Sequence, residues 1–161
     1  MPGNREKLVA FQKEVSSLTR MVAGTESIVE ELVTRVQYVK QAAHNTPGIP
    51  HELVAQASVL EAELDDILWK FNGQQPRASR EENWTAAPAI NEYLRVVAYG
   101  TYSSTSNPTE TMKEQYNLTI EAFKPVYDRV KVILEDEISK LESELNKYGA
   151  PFTPGRLPEW K

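Results

Sequence analysis

The chain has 161 residues, 40% hydrophobic and 25% charged, which is enough for one domain with a true core and ordinary for a soluble globular protein. A formal net charge of -5 with no run of Lys or Arg argues against nucleic-acid binding, which needs a basic face to neutralise phosphates. Cysteine is absent, so disulfides, thiolate metal sites and cysteine nucleophiles are excluded, and no segment approaches the roughly 20 apolar residues of a membrane span.

Met1 to Glu6 lacks the apolar stretch of a signal peptide. The compartment stays open: cytoplasmic, or periplasmic or secreted if a parent protein carries such a signal. Leu8, Phe11, Val15, Leu18, Val22, Thr25, Val29, Leu32, Val36, Val39 and Ala43 then recur at alternating three- and four-residue steps. That seam predicts a helix over about residues 4–44, with Asn4 as N-cap. Met21, Ile28 and Val33 widen the stripe, which suits a multi-helix bundle better than a two-stranded coiled coil.

Thr46-Pro47-Gly48-Ile49 ends this helix in a turn that uses the positive φ available to Gly. Pro50 opens a second helix over 50–72, whose seam is Leu53, Ala57, Leu60, Leu64, Ile67 and Phe71. Gly73 is its stop. Gln74 to Asn83 has no apolar period and reads as a loop. A third, shorter helix over 87–104 carries Ile90, Leu94 and Val97. The serines that follow it read as hydroxyls capping the helix end.

Asn107 and Pro108 suit the N-cap and first position of a last helix over 108–148. Its seam reads Tyr116, Ile120, Phe123, Tyr127, Val130, Leu134, Ile138, Leu141, Leu145 and Tyr148. The two four-residue steps from Val130 to Ile138 form a stutter, and Pro125 predicts a kink by removing the bond to Glu121. In the tail, 149–161, three prolines exclude a helix, and Phe152, Leu157 and Trp160 predict an extended strap docked on an apolar surface. The fold class is therefore all-α: an antiparallel bundle of four helices, two long and two short, spanning 1–161 as a single domain with a C-terminal strap. Up-down-up-down is the default order. A three-layered bundle is the rival, with the second and third helices end to end as one broken middle helix.

Chemistry-bearing patterns are sparse. His44 and His51 flank a turn and lack the Glu-x-x-His spacing of a bundle metal site, so no metal or cofactor is expected. Asp65-Asp66 and Glu135-Asp136-Glu137 are neighbours in sequence that diverge on a helix, which favours a solvated face over a catalytic carboxylate pair. No phosphate loop or Gly-x-Ser-x-Gly elbow occurs. Trp69 and Trp84 fall outside the clean seams and read as core edge or tail contacts, with a ligand platform as the alternative.

Three blocks carry a resemblance. The first is Arg95-Val96-Val97 through Gly100, Ser103-Ser104-Thr105 and Pro108-Thr109; the second is Gln115-Tyr116 with Glu121-Ala122-Phe123; the strongest runs from Gly149 to Trp160. Together they resemble the C-terminal helical region of bacterial glycosyl-hydrolase-like proteins, which carry bacterial neuraminidase repeats and are similar to sortilin-type β-propellers. The resemblance implies a non-catalytic accessory domain packed against the β-propeller of a parent protein. The propeller's Ser-x-Asp-x-Gly-x-Thr-Trp boxes are missing here, so no hydrolytic role transfers to these residues. Pro125 departs from the smoother helix of that family. Candidate interface residues are Tyr99, Tyr102, Phe152, Arg156 and Trp160. The alternative is a self-standing oligomerisation or adaptor bundle whose first seam zips with a second copy; an enzyme would require a buried, inward-facing carboxylate cluster.

Overall fold

The computed structural model describes residues 2–73, 88–103, 107–158 and 160. The fold is all-α, a helical bundle with no strand among the described residues. Helix α1 is Pro2–His44, α2 is His51–Asn72 and α3 is Ile90–Ser103. Helix α4, Glu110–Val132, continues through a π-helical turn, Ile133–Glu137, into α5, Ile138–Lys147. These last three form one long rod, so the described residues hold two long and two short helical stretches. Helix α1 starts before Asn4, which therefore lies inside its first turn. The Gln74 to Asn83 loop and Trp84 lie outside the described residues, as do the first residues of the helix expected from 87.

Every seam position expected on α1 is buried, Thr25 included. The Thr25 hydroxyl is satisfied internally, donating to the Met21 carbonyl at 2.7 Å. A polar group therefore sits in the seam with no unmet bond. The α2 seam is buried from Leu53 to Phe71, and on α3 Ile90, Leu94 and Val97 are joined by Thr101. Each such Val, Leu or Phe contributes roughly 1.5–3 kcal/mol on leaving water, so packing rather than propensity holds these helices.

The helix ends are set by residues that suit them. Gly48, Gly73 and Gly149 adopt φ of 81°, 80° and 73°. After α5 the Ala150 N–H reaches the Leu145 carbonyl and the Gly149 N–H reaches Asn146. That pair of bonds is a Schellman closure, sealed by Ala150 and Leu145 in one core cluster. The last rod begins differently from expectation: Thr109, not Asn107, caps it, its Oγ1 accepting from the Met112 N–H at 3.1 Å. The hydroxyl two residues further on reaches the orphan N–H groups, so Pro108 precedes the helix.

The rod also corrects the expected seam. Thr119 and Val126 are buried where Ile120 and Tyr127 were expected, and Ile133 is buried where Leu134 was expected. Ile120, Tyr127 and Leu134 are half-buried flanks. The buried set steps from Val130 to Ile133 to Ile138, three residues and then five. A five-residue step needs a wider turn, and the Ile138 N–H bonds to the Ile133 carbonyl across it. One extra residue thus brings Ile138, Leu141 and Leu145 back onto the inner face. Pro125 lies on the exposed side, and α4 continues through it.

The helices pack as two compact units, one of Met1–Glu26 with Leu68–Tyr127, the other of Ser27–Ile67 with Asp128–Lys161. In the first, α3 starts beside the end of α2: Asn91 Nδ2 donates to Asn72 Oδ1 and to Glu26 Oε1, each at 2.9 Å. Further along α3, Val97 packs with Phe11 and Val15 of α1, with Met112 and Tyr116 of α4 against them. Within this unit α3 therefore runs antiparallel to the first part of α1 and starts beside the last turn of α2. Ring pairs Phe11–Tyr116 and Phe71–Phe123, 5.7 and 6.3 Å between centroids, meet edge to face in this unit. In the second unit, Val39, Ala42 and Ala43 of α1, Leu53 and Ala57 of α2, and Leu141 and Leu145 of α5 share one core with Ala150.

Candidate interaction surfaces

On α3 the seam residues Ile90, Leu94 and Val97 turn inward, and the helical period turns Val96, Tyr99 and Tyr102 outward. Tyr99 is 77% exposed, and Tyr102 and Val96 are also largely exposed. Two expected interface residues thus stand on the outer face of α3, and Val96 joins them. Ser103 Oγ donates back to the Tyr99 carbonyl at 2.6 Å, the end-capping role expected of these serines; 104–106 lie outside the described residues.

The tail is extended, but it is held differently from expectation. Glu142, on α5, is only 2% exposed. Arg35 of α1 grips it with both ends of its guanidinium fork, Nε to Oε2 at 3.1 Å and Nη2 to Oε1. From the tail, Thr153 Oγ1 donates to Oε2 at 3.4 Å, and Arg156 Nε lies 3.4 Å from the same oxygen. Arg156 also donates to Thr153 Oγ1 at 2.9 Å and to Asn146 Oδ1 at 3.1 Å. The Phe152 ring covers its guanidinium at 5.2 Å.

A buried carboxylate demands cationic partners, and the tail supplies one of them. The strap is therefore fastened by a polar clamp rather than by its large apolar side chains. Phe152 is half exposed, and Leu157 and Trp160 are 94% and 99% exposed. Arg156 belongs to the clamp, and its side chain keeps only 15% of its surface in water. Phe152 and Trp160 remain available at the surface.

Sequence reasoning missed a third feature. In the second unit, α2 and the end of the last rod border an open groove of about 960 Å³. Arg129 stands in it between two carboxylates. Its Nη1 and Nη2 donate to Glu137 at 2.6 and 2.9 Å, and its Nη2 and Nε donate to Glu63, the former at 2.7 Å. Bonds from Glu63 first, and then from Glu137, hold this guanidinium well above its ordinary proton affinity. Glu63 and Arg129 lie 66 residues apart, so no local pattern signals the pairing. Glu135-Asp136-Glu137 was expected as a solvated face. Glu135 and Asp136 are indeed exposed, but Glu137 is drawn onto Arg129.

His44 and His51 are both exposed, as are Asp65 and Asp66, and Trp69 is partly so. Among the described residues no three or more His, Asp or Glu stand close enough together to hold a metal ion. No helix among them is long and apolar enough to cross a membrane. Comparisons with protein-family models, with curated proteins and with solved structures find no match.

Proposed function

We propose that this chain is a non-catalytic interaction module, working as the helical accessory domain of a larger glycosyl-hydrolase-like β-propeller protein. The observation that carries this reading is the display of large aromatic side chains in water. Tyr99 and Tyr102 stand outward on α3, and Trp160 stands outward beyond the tail clamp. Exposed aromatic groups of this kind are the anchors that protein interfaces use. The blocks around residues 95–109, 115–123 and 149–160, which resemble the helical region of such proteins, give the partner its class. Acidic groups drawn inward, Glu142 and the Glu63–Glu137 pair, are engaged by arginines, which suits a structural role for them.

Co-elution on a sizing column with a β-propeller carrying neuraminidase-type repeats tests this reading. A shared peak at micromolar concentration, lost on replacing Tyr99 and Tyr102 by serine, is the expected result; separate elution refutes it. A second reading, a self-standing oligomer, cannot use the α1 seam, which is buried within the chain, and draws instead on the partly exposed Val9 and Met21 of α1. Light scattering of the chain alone separates the two: a concentration-independent dimer favours the second, a monomer the first.

A further inference from the structure

The groove of the second unit has a chemistry that the propeller reading does not use. Its α2 wall carries Ala55 and Val59, one helical turn apart and both exposed, beside Gln56 and Glu63. Val59 is 68% exposed and faces nothing in its own unit that removes it from water. The facing wall is lined by Ser139 and Ser143, small residues one helical turn apart on α5. Leu60 and Leu141 reach the floor between them. Small side chains on both walls let a further helix approach closely, and two helices flanking an open channel are the usual seat for one.

Charge around the groove selects what lies there. Glu63, Glu135, Asp136, Glu137 and Glu144 line it, against Arg129 and Lys140. Arg129 is engaged between Glu63 and Glu137, and Lys140 pairs with Asp136. The π-helical turn contributes to this balance, since Glu135, Asp136 and Glu137 all belong to it. A second copy of the chain fits poorly, because its net charge of -5 is repelled by an acidic groove. Nucleic acid and anionic lipid surfaces are disfavoured for the same reason. We infer that the groove between α2 and α5 docks a basic amphipathic helix of a partner protein, with Leu or Val at three- and four-residue spacing set over Val59 and Lys or Arg flanking them at the acidic rim. This surface is distinct from the aromatic positions assigned to propeller contact, and the inference stands independently of them.

The test uses the intact chain and an 18-residue fluorescent peptide with leucines at helical spacing and lysines elsewhere. Binding is read by anisotropy at low and moderate salt. A second peptide keeps every lysine and replaces each leucine by serine. The first is expected to bind and the second to bind at least about tenfold more weakly, the factor that burial of a few apolar side chains supplies. Val59→Gln changes no charge and no core contact, and is expected to weaken the leucine peptide by about tenfold. Glu135→Gln with Asp136→Asn is expected to weaken it several-fold and to flatten the salt dependence. Tyr99→Ala is expected to leave it unchanged. Equal affinity for the two peptides, no effect of Val59→Gln, or absence of binding overturns the inference. So does a dimer of the chain alone that Val59→Gln dissociates, because the groove then belongs to a second copy.

Discussion

Glu142→Gln is the perturbation whose magnitude follows most directly from the geometry. The substitution keeps the size of the side chain and removes its charge. Arg35 and Arg156 both lose their anionic partner, and Arg156 has only 15% of its side chain in water against 30% for Arg35. Removing one member of a buried ion pair costs about 3–5 kcal/mol, because the remaining charge stays desolvated. Arg35 is close enough to solvent to recover part of its hydration, so the lower end, about 3 kcal/mol, is expected. For a chain of this length that lowers Tm by roughly 6–12 °C. Urea unfolding followed by far-UV circular dichroism measures the loss. A cycle with Arg156→Gln is expected to show a coupling of about 1 kcal/mol or more. Trypsin supplies a local readout, since the bond after Arg156 becomes readily cut once the clamp opens. A stability change below about 0.5 kcal/mol, with unchanged proteolysis, refutes the assignment of the clamp as what fastens the tail.

Other expectations follow from single features. Deleting Glu135 removes the extra residue of the π-helical turn, so the buried set returns to three- and four-residue spacing; the variant is expected to keep its helicity and a cooperative melt. Deleting Gln37 from α1, where no such turn exists, is expected to abolish the melt, and the same outcome for both deletions contradicts the role given to the π turn. Pro125→Ala restores a helix donor on an exposed face and is expected to raise stability by about 1–3 kcal/mol in urea unfolding; a loss shows that the proline serves packing. Burial first, and then the nearby Glu14 carboxylate, raise the proton affinity of the Tyr116 phenol above its ordinary value. A raised value in the fold favours the neutral phenol, so its contribution is present below about pH 10 and is lost as pH rises through the raised value. Tyr116→Phe is expected to flatten the alkaline fall in stability, and an unchanged alkaline profile contradicts that cause.

Helix existence was legible because the apolar period alone specifies it. The α1 and α2 seams are the clearest case: every position chosen from Leu8 to Ala43 and from Leu53 to Phe71 is buried. The turn glycines were legible too, because Gly48, Gly73 and Gly149 supply a backbone conformation that other residues resist. The rod was harder to read. Phe123 and Val130 are buried as expected, but Thr119 and Val126 take the buried places expected for Ile120 and Tyr127. A small seam residue flanked by bulky neighbours inverts the usual reading of size as burial. The irregular step after Val130 was visible as a stutter, and the choice between Ile133 and Leu134 depended on a five-residue turn that periodicity cannot display.

The tail was legible only in part and the groove not at all, for a different reason. Phe152, Leu157 and Trp160 suggested apolar docking, whereas Glu142 is what holds the strap, through contacts 11 residues away with Thr153 and 107 residues away with Arg35. Long-range charge pairing leaves no local pattern, and the same holds for Arg129 with Glu63. Tyr99 and Tyr102 could be singled out because their spacing places them off the Leu94–Val97 seam.

The proposed role of this chain is to hold another protein through its outer surfaces. Calorimetric titration of the intact chain into a β-propeller with neuraminidase-type repeats tests it most directly. Saturable heat with a Kd in the micromolar range, about -8 kcal/mol, is expected, and it should vanish for the variant carrying Tyr99→Ser and Tyr102→Ser with unchanged thermal stability. Absence of heat at concentrations well above micromolar, or equal heat from the variant, contradicts the claim.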